Sequence, residues 1–90
     1  MTILLNEKLD LHETVALRTS LSDRRGQALV IDASRVLHLG AQCAQVLAAA
    51  VAAWADDGVP LTVAAPSNFF RQGSRLLGLQ SILSTEGVPS

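Results

Sequence analysis

The run Ala28–Ile31, bounded by Gly26 before it and Asp32 after it, constrains this chain more than any other segment. A short, continuous apolar stretch with two β-branched members is the pattern of a strand covered on both faces. It predicts a central strand. A long alanine-rich helix from about Ala41 to Asp57 follows, and Val59–Ala65 reads as a second strand that Pro66 stops. Strands joined by single helices run parallel through right-handed crossovers, so the expected class is α/β: a small, mainly parallel β-sheet with helices packed on it.

The flanking segments fit this alternation. Thr2–Leu5 reads as a short edge strand. Asp10, with Glu13 three residues on, has the form of a capping box opening a helix from about Leu11 to Ser22, with Leu11, Val15, Leu17 and Leu21 as its apolar positions. The DRRG turn at Asp23–Gly26 ends that helix. Ser67 is placed to cap a further helix running to about Leu77, with Phe69, Phe70, Gly73, Leu76 and Leu77 on one side and Gly78 at its end. Gly73 inside it costs about 1 kcal/mol relative to Ala, a sign of close packing. Leu79, Ile82 and Leu83 suggest a last turn. The whole chain is expected to form one domain, with an ordered core over about 2–83 and a tail over 84–90.

Ninety residues, 49% of them apolar, provide for one modest core and leave no room for a second domain. A formal net charge of −1 gives no footing for nucleic-acid binding through bulk positive charge. The single cysteine, Cys43, excludes an internal disulfide framework and is compatible with a reducing compartment, so the cytoplasm is the expected location. The amino-terminal segment lacks the basic and apolar regions of a signal peptide. The longest apolar run, Val46–Ala55, is far shorter than the roughly 20 residues a bilayer-spanning helix needs.

On a wheel of about 100° per residue, the helix from Ala41 to Asp57 divides into three stripes. Cys43, Val46, Leu47, Val51 and Trp54, with Ala50 between them, form a core face. Ala41, Ala44, Ala48 and Ala55 form a flat stripe beside it. Gln42, Gln45, Ala49, Ala52, Ala53 and Asp56 form the rest, without charge until Asp56. Two readings of that third stripe stand side by side. Alanine is the best helix former and suits plain surface. A smooth uncharged face also costs little to desolvate and little side-chain entropy on binding, which suits protein docking.

Motifs for catalysis are wanting. His12 and His38 have no Cys or acidic residue at metal spacing, so no metal or cofactor is expected. Cys43 on the core face reads as a small hydrophobe; at an open helix N-terminus it would instead be activated. Cys43 and His38 lack an orienting third group. No phosphate-binding glycine pattern occurs. Arg71 and Arg75, at i and i+4, suit either a solvated helix face or an anionic group, and a ligand site using His38 with them is the weakest of the functional readings.

The order of these pieces resembles a STAS domain, the fold of anti-sigma-factor antagonists. Members typically show a strand ending in D-L-S-x-V, then a short apolar stretch and a D-S-S-G or D-T-x-G turn that opens the next helix. Asp32, Ala33, Ser34, Arg35 and Val36 look like the first part. Gly40, Ala41, Gln42 and Cys43 stand where the turn would be, and Leu61–Ser67 with Leu76–Leu79 is similar to the closing segment. The resemblance covers about Leu9–Leu83. It implies a non-enzymatic module that docks a signalling protein, kinase or anti-sigma-like regulator, with Ser34, His38, Gly40, Ala41, Gln42, Gln45 and Ala49 as the partner-binding set.

The departure matters as much. The family's phosphorylatable hydroxyl belongs at the turn, and Ala41 and Gln42 have none to offer, so no phosphorylation is expected there. Ser34 remains nearby, where its hydroxyl is expected to bond its own backbone. Small members with such a turn resemble those associated with bacterial chemotaxis proteins. The alternative is a STAS subunit supporting an ABC-type lipid-transport ATPase, against which Ala41 counts because that group carries Thr there. A homodimer through the alanine-rich faces is a further possibility.

Overall fold

The computed structural model describes residues 2–78. Its elements follow in the order β1 (Thr2–Leu4), β2 (Lys8–Leu9), α1 (Glu13–Ser22), β3 (Leu29–Asp32), β4 (His38–Leu39), α2 (Ala41–Asp57), β5 (Leu61–Ala64) and α3 (Asn68–Leu76). β1, β3 and β5 form a parallel sheet with β3 in the centre, Ile31 lying beside Ile3 on one side and Val63 on the other. The α/β expectation and the central strand hold. The suggested last turn at Leu79–Leu83 and the tail lie outside the described residues.

One expectation about the sheet is corrected. The strand order β1-β3-β5 advances in one direction, so two right-handed crossovers place α1 and α2 on the same face. β3 is therefore not equally covered on both sides. Leu29 and Ile31, with Leu61 and Val63 of β5, are buried beneath the helices, while Val30, Asp32, Thr62 and Ala64 are half-buried on the opposite face. The period of two was masked in the sequence because Val30 is apolar although it lies on the open side.

The second correction is a sheet that sequence patterning did not show. β2 and β4, two residues each, pair in parallel, with Lys8 beside His38 and Leu9 beside Leu39. They prolong the β1–β3 ribbon after a break, across which Leu37 and His38 both donate their backbone N–H to the Glu7 carbonyl. Pairing over two residues leaves no periodic signature to read.

α1 starts later than the sequence suggests, and no capping box forms. His12 is the N-cap residue, the Asp10 carboxylate accepts from the His12 backbone N–H at 3.0 Å, and Glu13 accepts from the Asn6 amide at 2.8 Å. Thr14, Leu17 and Leu21 turn inward, whereas Leu11 and Val15 are exposed. α2 has the expected bounds and ends at Gly58 in the left-handed conformation. Cys43, Leu47, Ala50 and Trp54 are buried as expected, Val46 and Val51 only half-buried, and Ala44 is buried where the flat stripe was placed. The two helices run parallel. Thr14 lies by Cys43 at one end, and at the other Arg25 bonds Asp57 while the Trp54 indole N–H donates to the Gln27 carbonyl at 2.7 Å.

α3 is capped as predicted, the Ser67 hydroxyl accepting from the Phe70 N–H. Its inward residues are Phe70 and Ser74, and Phe69, Leu76 and Leu77 are exposed, so the expected apolar side is narrower than its sequence implied. Gly73 is a close-packing point: a Cβ there would lie 3.0 Å from the Leu39 Cβ.

Candidate functional site

The link from β4 into α2 is built on backbone. The Gly40 N–H donates to the Leu9 carbonyl at 2.8 Å and its own carbonyl receives the Ala44 N–H. As the N-cap residue, Gly40 has no side chain to bond the first free N–H groups of α2, and no acidic residue stands in the first turn. The helix thus presents uncapped donors and the positive end of its dipole.

From that end, Gln42, Gln45, Ala49, Ala52 and Asp56 are exposed along one stripe, and Ala53 is half-buried. Residues 42, 45 and 49 recur at i, i+3 and i+7, so the turn and the helix face form one continuous surface. Gly40, Ala41, Gln42, Gln45 and Ala49 are brought together as expected. His38 joins them at the edge, exposed, its Nε2 3.8 Å from where a Gly40 Cβ would be.

Ser34 stands apart from this set in its bonding. Its hydroxyl and its backbone N–H both bond the Asp32 carboxylate, the N–H at 2.9 Å. These two bonds, the hydroxyl first, hold the Asp32 carboxyl below its ordinary value. The same β3–β4 link is tied to α3, because the Ser67 N–H donates to the Ala33 carbonyl and the Ser67 hydroxyl to that of Val36.

Cys43 is spoken for. It is 1% exposed, donates to the Asp10 carbonyl at 3.3 Å and touches the Thr14 hydroxyl at 3.6 Å. That surrounding makes it a packed core side chain, not an open thiol at a helix terminus. Arg71 and Arg75 belong to α3, whose Gly73 is seated on Leu39. Among the described residues no group of three or more His, Cys, Asp or Glu is placed to hold a metal ion.

Sequence reasoning missed what lies beside the site. α1 and α2 leave an open groove of about 380 Å³ between them, with Arg18 and Ser22 on one wall and Gln45, Ala49 and Ala53 on the other. Arg25 closes its far end, bonding Asp57 at 2.9 Å with its guanidinium 5.9 Å from the Trp54 ring centre. That bond lowers the Asp57 carboxyl and raises the Arg25 guanidinium. The signal available in the sequence was topological: two successive right-handed crossovers in one direction put α1 against α2.

A family model described as Mlab, STAS domain matches residues 1–84. The chain belongs to the STAS domain family. The α/β architecture with three helices and a parallel sheet is consistent with a STAS-like single domain, and STAS domains are in general protein-interaction and regulatory modules. Comparison with curated proteins and with solved structures gave no match. No helix among the described residues of this STAS domain is long and apolar enough to cross a membrane.

Proposed function

We propose that this STAS domain is a non-enzymatic docking module of bacterial cytoplasmic signalling, of the chemotaxis-associated kind, that holds its protein partner constitutively. The partner is a signalling protein or a kinase-like or anti-sigma-like regulator. It docks on the Gly40–Gln45 turn and the outer face of α2 through Ala49, with His38 and Ser34 at the margin. The observation that carries this reading is the exposed, uncharged stripe Gln42–Gln45–Ala49 leading directly from an uncapped helix end. The alanines lose little side-chain entropy on burial, the two glutamine amides avoid the cost of desolvating a charge while offering hydrogen bonds, and the free N–H groups supply directional donors to a partner's carbonyl or carboxylate. Ala41 and Gln42 exclude a phosphate switch at the turn, since neither side chain has a hydroxyl.

The test is capture from the native host with tagged wild type beside Ala49→Arg and Gln45→Glu variants, the recovered protein being identified by mass spectrometry. Trp54 fluorescence checks that each variant is folded. A signalling protein recovered by wild type and lost with both variants is the expected result. Equal recovery by all three overturns the site. Recovery of an ABC ATPase subunit in place of a signalling protein assigns the chain to the lipid-transport alternative.

A further inference from the structure

The outer stripe of α2 has a symmetry of its own. Gln42 and Asp56 each lie seven residues from Ala49, and Gln45 and Ala53 each lie four. A second α2 laid antiparallel across the first at Ala49 therefore meets its counterpart residue for residue. At about 1.5 Å per residue, seven positions put Asp56 of one copy over the first turn of the other. That turn is uncapped and lacks an acidic residue, while the last turn of α2 lacks a basic one. Within one chain the first turn has no carboxylate and Asp56 stands at the helix end that disfavours it; across an antiparallel pair, each acidic last turn meets the positive end of the other helix.

The neighbouring groove fits the same arrangement. Its charged side chains are Arg18 and Arg25, and no carboxylate lines it. Arg25 is bonded to Asp57 and also feels the Asp56 charge, whereas Arg18 makes no ion pair among the described residues. α1 runs parallel to α2 with Arg18 beside its first half, so an antiparallel α2 from a second copy brings its acidic end toward Arg18. Val15, 68% exposed, continues the Arg18 stripe along α1 at i−3, giving the incoming helix apolar contact. Alanines at 49, 52 and 53 let the two backbones approach closely.

We propose that the α1–α2 groove and the outer stripe of α2 form a twofold self-association surface. In it α2 of a second copy lies antiparallel across Ala49, and Arg18 of each chain pairs with Asp56 of the other. Such a contact is isologous and closes at the dimer. It rests on the reading of this face as a protein-docking surface, and it names a second copy of the chain as the occupant when the protein is alone.

Sedimentation equilibrium over a concentration series tests it on wild type, Arg18→Asp, Asp56→Arg and the double variant. Both residues are exposed, so the fold is retained, which far-UV circular dichroism checks. Wild type is expected to dimerise reversibly. Each single variant sets like charges opposite one another twice per dimer and weakens association about tenfold or more, and the double variant restores it. Ala49→Cys gives an independent readout, because a residue on the twofold axis meets its own copy and forms a disulfide dimer under mild oxidation, while buried Cys43 stays unreacted. A monomeric wild type, a dimer indifferent to both single variants, or a double variant no better than the singles overturns the proposal. None of these touches the docking function, whose readout is partner capture.

Discussion

A Cβ built on Gly40 would lie 2.8 Å from the Leu9 carbonyl oxygen, although a φ of −76° is open to any side chain. Glycine is required there by the neighbouring strand's backbone and not by its own torsion angle. Most of that approach is fixed by the 2.8 Å hydrogen bond from the Gly40 N–H to the same carbonyl, which joins β2 to the start of α2. Aspartate is among the best of N-caps, yet in an open setting it exceeds glycine by only a few tenths of a kcal/mol. Here the Cβ forces Leu9 or α2 to move, which costs about 1–3 kcal/mol. Gly40→Asp is therefore expected to lower the urea midpoint, read by Trp54 fluorescence, and Gly40→Ala to lower it further. An Asp variant as stable as wild type would show that β2 yields without cost. The site's residues were legible from spacing, since 40, 41, 42, 45 and 49 are neighbours on any helix that begins at 41. What spacing did not contain was the reason for the glycine, because β2 is too short to announce itself.

Among the elements, α3 depends most on a single side chain. The Ser67 hydroxyl accepts from the Phe70 N–H at 3.1 Å and donates to the Val36 carbonyl, so one residue both starts α3 and ties it to the β3–β4 link. Ser67→Ala removes both and should cost about 1–2 kcal/mol. Ser67→Gly separates the two roles, since glycine at an N-cap costs only a few tenths of a kcal/mol. If it destabilises nearly as much as alanine, the tie to Val36 matters more than the cap; chemical denaturation of the two variants decides. The cap was readable from Pro66–Ser67 alone, as were α2 and the alternation of β3, α2 and β5. The start of α1 was not, because Asp10 and Glu13 have the capping-box spacing but spend their oxygens on His12 and Asn6. The inward side of α1 was misjudged for a related reason. Thr14 faces Cys43 while Val15 faces water, and hydrophobicity alone ranks them the other way.

Among the described residues, the buried side chains form a single cluster from Leu5 and Leu9 through Ile31 and Leu47 to Trp54 and Phe70, although the strands belong to two sheets. With one core among the described residues, no second cluster there retains structure when part of it is loosened. Phe70 tests this, being fully buried in α3, which packs chiefly on β4. Phe70→Ala should cost about 3–5 kcal/mol, a large share of the 5–15 kcal/mol that holds a typical domain. Because Trp54 lies on the opposite side of the cluster, against α1 and Gln27, its emission reports whether that loss is shared. The expected result is one transition, with the Trp54 signal and far-UV circular dichroism shifting to the same lower midpoint. Phe70→Leu, which keeps most of the volume, should move both by less than about 1.5 kcal/mol. A variant in which circular dichroism falls early while Trp54 keeps the wild-type midpoint would make β2, β4 and α3 a separately unfolding unit. The Gly40 turn, which joins β4 to α2, would then be a hinge between two parts instead of a fixed platform for docking.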